Sequence, residues 1–346
     1  MAKNTIAKLV TAAAALTGAA WAFDKYAQHK FQRSGISLAI NKLSELSPSR
    51  TAQDEMALLD EHKSAERPAG LPGIILKSGI ADVYDDGNDQ DFDTFGMVTY
   101  RFKPRDYSSA TVHNVTVLYV HGGGYITGFD AYHVAFMTRL ARQMGVTVIA
   151  PDYAPAPWGT AKDAYRSITA LYTRYGILNP DEKVILMGDS AGAGLAFGLA
   201  LTWAKQGLQA PEGIIAISPW VDVTLSNPDI HAYVDRDPML DADRLRVDAH
   251  EWAGQWSMDD SRISPLKANS ADIKALHKSE VTIIQGSDEI FFPDVTDFAT
   301  RLTSAGVKTK LHIGEHMTHD YPLQPIPEAK ESWSQIEMAI VEATVE

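Results

Sequence analysis

Val184-Ile185-Leu186-Met187-Gly188-Asp189-Ser190-Ala191-Gly192 is the stretch on which the fold turns. Its four apolar residues predict a buried strand. A glycine two positions either side of Ser190 lets the backbone turn sharply, without Cβ clashes, into a following helix. A serine at such an elbow has its hydroxyl pushed out above the end of the sheet, which makes Ser190 the candidate nucleophile. Gly, Ser and Ala are common residues, and an ordinary strand-to-helix turn has the same composition, so the elbow calls for a second signal.

That signal lies upstream, where the apolar run Val117-Leu118-Tyr119-Val120 meets His121-Gly122-Gly123-Gly124. Consecutive glycines leave backbone N–H groups bare, and bare donors beside a serine elbow suit the negative charge that develops on a carbonyl oxygen during attack. The candidate oxyanion hole is the N–H of Gly123, of Gly124 and of Ala191, the residue after the serine. The alternative is a flexible glycine turn.

Outward from these two motifs, apolar runs and helical patterns alternate. Strands are predicted over residues 97–102, 115–120, 146–150, 184–187, 213–217, 281–284 and 308–313, and helices over 160–175 and 192–206. Such alternation predicts an α/β fold with a mainly parallel central sheet and helices on both faces. Residues 24 to about 75 read as helical, with Ser47-Pro48-Ser49 as a break and 68–73 as a linker, and suit a helical cap. The segment 220–266 interrupts the alternation and is expected to help roof the site, with Trp252 and Trp256 as packing residues. The expected organisation is therefore a signal peptide or anchor over 1–23, a cap region and acidic loop over 24–93, and a catalytic domain over 94–346.

Composition narrows the function classes. The 346 residues are 45% hydrophobic, enough for a full core. A formal charge of −13 offers no basic stripe to phosphates, so a nucleic-acid partner is not expected. The absence of cysteine excludes disulfides, thiolate metal sites and a cysteine nucleophile. Lys3 and Lys8 precede an uncharged Ala-rich run from Leu9 to Phe23, closed by Ala20-Trp21-Ala22, which matches an export signal. A membrane tether and an amphipathic helix continuing through Tyr26, Phe31 and Ile36 onto the body of the protein are the alternatives, and the expected location is secreted or membrane-anchored, with cytoplasmic as the alternative. The acidic run Asp82, Asp85, Asp86, Asp89, Asp91, Asp93 has closely spaced oxygens but lacks the closing glutamate of a calcium loop. A solvated loop is the expectation, and no metal or cofactor is called for.

A serine hydroxyl is a poor nucleophile at neutral pH and needs a base and a group to orient that base. In the chain order that accompanies this elbow, the acid follows the next-to-last core strand and the histidine the last. His312 falls inside the last strand pattern. His316 and His319 both fall in the loop after it, and residue type alone does not separate them. Asp288, Glu289 and, further on, Asp294 follow Ile283-Ile284-Gln285-Gly286. Asp152 and Asp189 come too early in the chain to serve as the acid, and Asp152 is expected to hydrogen-bond near the glycine loop.

Residues 95–325 resemble the hormone-sensitive-lipase-like branch of the α/β-hydrolases. The likeness is carried by His121-Gly122-Gly123-Gly124, by Asp152-Tyr153 with Ala154-Pro155-Ala156-Pro157, by Gly188-Asp189-Ser190-Ala191-Gly192, and by Ser218-Pro219-Trp220-Val221-Asp222. Ala154 stands where that family usually has Arg. The resemblance implies an α/β-hydrolase fold with a cap and makes His319, in His316-Met317-Thr318-His319, the base, with His316 at the pocket mouth. By the same alignment Glu289 takes the acid position, with Asp288 as its rival. It further implies a carboxylesterase acting on short or medium acyl esters, a small-molecule ester substrate and no cofactor. The alternatives are a lipase or deacetylase working at a membrane or cell wall, and a ligand-binding homologue without catalysis.

Overall fold

In a computed structural model, residues 19–46, 50–68, 70–84, 97–104, 111–178 and 181–344 are described. They build one eight-stranded sheet in the order β1-β2-β4-β3-β5-β6-β7-β8. The strands are β1 (Asp82–Val83), β2 (Thr99–Phe102), β3 (Val115–Val120), β4 (Thr147–Pro151), β5 (Lys183–Asp189), β6 (Gly213–Ile217), β7 (Glu280–Gly286) and β8 (Thr309–Gly314). From β3 to β8 every pairing is parallel, while β1 and β2 add an antiparallel edge.

Parallel neighbours need long crossovers. The helices Ala131–Met144, Ala161–Leu178, Ser190–Lys205 and Phe292–Ser304 lie in those crossovers. Because they cover both faces, the central strands read as unbroken apolar runs instead of alternating ones. Tyr119, Met187 and Ile217 pack under the helices Ala131–Met144 and Ala329–Thr344. Their chain neighbours Val120, Leu186 and Ala216 pack on the opposite face, under Ala161–Leu178 and Ser190–Lys205. A side chain of this kind, fully buried, stabilises the fold by about 1.5–3 kcal/mol. Lys310 and His312 lie on β8, an edge strand left partly exposed, where charged and polar side chains discourage edge pairing. His312 therefore belongs to the sheet edge.

The N-terminal region departs from the continuous helix considered for Tyr26, Phe31 and Ile36. A helix over residues 19–31 stops where Gln32 turns left-handed at φ 54°. Ser34 then caps a second helix, Gly35–Glu45, by accepting from Ser37 N–H. Tyr26 and Ile36 are about half exposed instead of packed on the body. Among the described residues no helix is long and apolar enough to cross a membrane. Residues 1–18 of the expected leader, Ser47-Pro48-Ser49, and Asp85 to Asp93 of the acidic loop lie outside the described residues. Asp82, which opens that run, sits on β1 and takes a two-pronged contact from Arg101 at 2.8 Å.

A third N-terminal helix, Ala52–His62, is started by a reciprocal cap between Thr51 and Asp54 and packs against the helix Ala242–Ala253. It braces the helix Ala242–Ala253, which with Gly35–Glu45 roofs the carboxyl ends of the parallel strands. The helical cap thus draws on residues before β1 and on the segment between β6 and β7.

Candidate active site

β5 ends at Asp189, and Ser190 is the first residue of the helix that follows, two positions earlier than the pattern predicts. Ser190 sits at φ 49°, a left-handed conformation costing about 1–3 kcal/mol for a residue with a side chain. The flanking glycines are required by close approach. A Cβ on Gly188 would stand 2.7 Å from the Val120 carbonyl oxygen, and one on Gly192 only 2.1 Å from it.

Sheet register brings the second motif alongside. Val120, the last residue of β3, pairs with Gly188 of β5, so the glycines after β3 pass directly over the serine. Gly123 and Gly124 both adopt positive φ, 107° and 62°, and both line the pocket with Ser190. Their N–H groups find no acceptor among the described residues. Ala191 lies in the first helical turn, where amide groups have no intrahelical partner.

Asp189 fixes the glycine loop. Its buried carboxylate accepts from Gly122 N–H at 3.1 Å and from the Tyr119 hydroxyl at 2.6 Å. His133 completes the arrangement, with Nε2 3.1 Å from Asp189 and Nδ1 2.8 Å from Asp130 Oδ1. The Asp130 amide nitrogen also lies 3.0 Å from Nδ1. A carboxylate beside each ring nitrogen favours the imidazolium, although the Asp130 N–H also points at Nδ1. Burial opposes that charge, but Asp189 and Asp130 outweigh it and raise His133 to about 10. Tyr153 donates from its hydroxyl to the His121 carbonyl at 2.7 Å and stacks on the His121 ring. Asp152, one residue earlier, accepts from Arg67 at 2.5 Å and so ties the segment before β1 to this loop.

The loops after β7 and β8 leave adjacent strand ends, where Gly286 pairs with Gly314. His319, 4% exposed, has Nε2 2.9 Å from Ser190 Oγ and Nδ1 2.7 Å from Glu289 Oε2. The other oxygen of Glu289 accepts from Gly286 N–H at 2.7 Å and from the Ser218 hydroxyl at 2.9 Å. Asp288 points elsewhere, to Arg33 at 3.1 Å, while Asp294 accepts from Asn227. His316 does not reach the pocket mouth expected for it. At φ 60° the chain turns its ring toward Asp288, 3.9 Å away, outside the pocket lining.

Two further groups carry no role assigned from the sequence, although Ser218 opens the motif Ser218-Pro219-Trp220-Val221-Asp222. Ser218, at the end of β6, donates to Glu289 and accepts from the Asp320 N–H at 3.1 Å, so one hydroxyl ties the acid to the loop carrying the base. Asp320 places Oδ2 3.1 Å from His319 Nε2, on the nitrogen that faces the serine. Burial opposes the charge of His319, yet Asp320 and Glu289 prevail and hold the imidazole well above its ordinary value. Burial raises Asp320 in turn, to about 7, despite the attraction of His319. His319 also meets Phe291 edge-on, and the stack continues through Trp220 and Tyr125 to Trp252. Trp252 is thus core packing, while Trp256 packs against Tyr165 and Arg262.

The cavity over Ser190 holds about 660 Å³, floored by Gly123, Gly124 and His319 and roofed by Ile40, Leu240 and Leu245. Nothing in its donor set gathers three metal-ligating side chains among the described residues. The arrangement brings a serine hydroxyl, an imidazole paired with a carboxylate, and amide groups without an acceptor among the described residues into one small space.

The chain is similar to known proteins over most of the region that builds this site. The sequence profile of the α/β-hydrolase fold family matches residues 117–323. An esterase of Acinetobacter venetianus is 30% identical over 224 residues, 64% of this chain and 72% of its own. An ethyl acetate hydrolase of Pseudomonas putida is 32% identical over 219 residues, 59% of this chain and 65% of its own. The crystal structure of a hormone-sensitive-lipase homologue from a metagenome library superposes with a TM-score of 0.68 at 26% identity, covering 89% of this chain and 98% of that one. The chain belongs to the α/β-hydrolase fold family, among the esterases of the hormone-sensitive-lipase type.

Proposed function

We propose that this protein is a serine carboxylesterase that hydrolyses short- to medium-chain acyl esters through an acyl-enzyme. The observation that carries the reading is the continuous hydrogen-bond line from Ser190 through His319 to Glu289, at 2.9 and 2.7 Å. Ser190 Oγ attacks the ester carbonyl while His319 Nε2 takes its proton. Glu289 holds the Nδ1 proton and stabilises the imidazolium. The N–H groups of Gly123, Gly124 and Ala191 receive the oxyanion, each such donor being worth about 2.7–4 kcal/mol in other serine hydrolases. His319 then protonates the leaving alcohol, and water repeats the sequence to release the acid.

Asp320 and Glu289 hold the His319 imidazole well above its ordinary value, whereas the base must be neutral to act. Activity is therefore expected to climb as pH rises through the titration of that imidazole. A cavity of about 660 Å³ suits small or medium esters.

The test is turnover of p-nitrophenyl esters from acetate to palmitate by wild type and Ser190→Ala. Activity peaking at short chains, with kcat falling about 10⁴- to 10⁶-fold in Ser190→Ala, is the expected result. A long-chain optimum would make the protein a lipase. A folded wild type inert toward every ester would make it a binding homologue instead.

A further inference from the structure

Across the cavity from the serine, the roof contains a polar group that the protein leaves without a partner. Asp248, on the helix Ala242–Ala253, lines the cavity and is 2% exposed. Its carboxyl makes no hydrogen bond among the described residues, and Oδ1 is fully buried. Oδ2 lies 3.7 Å from the point a Cβ on Gly124 would occupy, so the carboxyl faces the glycine assigned to the oxyanion hole. Buried polar groups are nearly always hydrogen-bonded, and an exception that borders a cavity points to a partner arriving from the cavity.

The neighbours decide what that partner is. Arg244 donates from Nε to Glu55 at 3.0 Å, and Arg50 stands 3.6 Å from the same Glu55 oxygen, so both guanidiniums are engaged above Asp248 without bonding to it. Both also line the cavity, and their charge disfavours a cationic ligand there. Asp241 and Asp320 line it too, and with Asp248 they disfavour an anionic one. A neutral hydroxyl, which donates and accepts, suits the site. Burial and the charge of Glu55 push Asp248 up to about 7, against Arg244 and Arg50, so near neutrality both its acid and its carboxylate form are present. A hydroxyl pairs with either form.

We propose that Asp248 is a specificity residue that hydrogen-bonds a hydroxyl carried by the substrate close to its ester carbonyl, which makes hydroxylated esters the preferred class. The inference rests on the esterase reading above and deepens it. The hydroxyl can belong to the acyl or to the alcohol part, and shape-matched pairs distinguish the two. For the acyl part the pair is p-nitrophenyl 3-hydroxybutyrate against 3-methylbutyrate. For the alcohol part it is 2,3-dihydroxypropyl acetate against 2-methylbutyl acetate. In each pair a methyl replaces every hydroxyl.

Wild type is expected to favour the hydroxylated member of at least one pair by about tenfold or more in kcat/KM, since a site built to pair a hydroxyl rejects the analogue lacking it. In Asp248→Leu that ratio should fall to near one, and Asp248→Asn, which still donates and accepts, should keep part of it. If Asp248→Leu does not fold, Asp248→Ala, which adds no bulk, carries the same prediction. A loss confined to one pair supports the proposal and assigns the part of the ester that Asp248 reads. A wild-type ratio near one in both pairs, with plain esters still hydrolysed, overturns the subsite alone. So does a high ratio that survives in Asp248→Leu or Asp248→Ala. A wild type inert toward all four esters overturns the esterase reading and this inference with it.

Discussion

The strand-end site and the roof above it both bury carboxylates beside cations, yet they leave those carboxylates in opposite states. Glu289 has both oxygens paired, to His319, Gly286 and Ser218, and Asp189 is held by Tyr119, Gly122 and His133. In the roof, Glu55 Oε1 and Asp248 Oδ1 are buried without a partner. Below, the donors are adjacent strand ends and tight turns, which sheet register fixes relative to one another. Above, two helices nearly 190 residues apart meet only through side chains, as in the Arg244–Glu55 pair. Groups are preorganised where the backbone positions them, and of the two roof carboxylates with an unpaired oxygen it is Asp248 that lines the cavity.

The widest separation between the two carboxylates that compete for the acid role tests the lower half of this contrast. Glu289→Gln removes the charge that orients His319 and is expected to lower kcat by about 10⁴-fold. Asp288→Asn breaks the ion pair with the largely buried Arg33 and weakens the longer contacts to Arg236 and His316, so it should lower the unfolding temperature while kcat stays within a few-fold. Steady-state kinetics and thermal unfolding on both variants check this, and equal losses of kcat would remove the distinction.

Next in size is the support of the glycine loop. His133 is raised to about 10 in the folded protein, against 6.5 in the unfolded chain. Its stabilising contribution is therefore complete below about pH 6.5 and is lost as pH rises through about 10. Replacing it by an uncharged residue leaves Asp189 buried without its cation, at a cost of about 3–5 kcal/mol. The gap in unfolding temperature between wild type and His133→Gln should be widest near pH 6 and shrink steadily toward pH 10. A gap that does not change with pH would mean that His133 is a neutral packing residue.

The lower half was also the part legible in the sequence, for the same physical reason. A nucleophile elbow and a glycine loop are local constraints, and the glycines at 188, 192, 123 and 124 are demanded by contacts of 2.7 Å or less or by positive φ. The parallel sheet shows in unbroken apolar runs. The acid was harder, because Asp288 and Glu289 are adjacent and only the path of the loop, with Asp288 N–H donating to the Met317 carbonyl, turns one inward and the other out. The break at Gln32 escapes because a non-glycine residue takes the left-handed turn. Ser218 opens one of the motifs that carry the family likeness, but its bond to Glu289, 71 residues away, leaves no pattern in the chain, and Asp248 meets the pocket only through the packing of distant helices.

Ser218 sharpens the contrast on a smaller scale. As a positioning residue it acts through Glu289 and the Asp320 N–H, and a hydrogen bond to a charged group is worth about 1.5–3 kcal/mol. Ser218→Ala is expected to lower kcat about tenfold with little change in KM and to shift the acid limb of the pH–rate profile, because Oε1 of Glu289 is then held by Gly286 alone. A change confined to KM would place Ser218 in substrate binding instead.

Asp320 stands where the two halves meet: its N–H belongs to the strand-end network, while its carboxylate faces the cavity and leaves Oδ1 unpaired. With Oδ2 3.1 Å from Nε2, it competes with Ser190 for the proton of His319 and favours the imidazolium. Asn at this position keeps the shape and the N–H but removes the charge. The imidazolium then loses its proton more readily, so the acid limb of kcat/KM in Asp320→Asn should move toward lower pH, by about a tenfold change in proton concentration. The plateau rate above that limb should change less, because Glu289 still orients the ring. A limb that stays in place would mean that water screens Asp320 from the imidazole, and the carboxylate would then belong functionally with Asp248 and the roof.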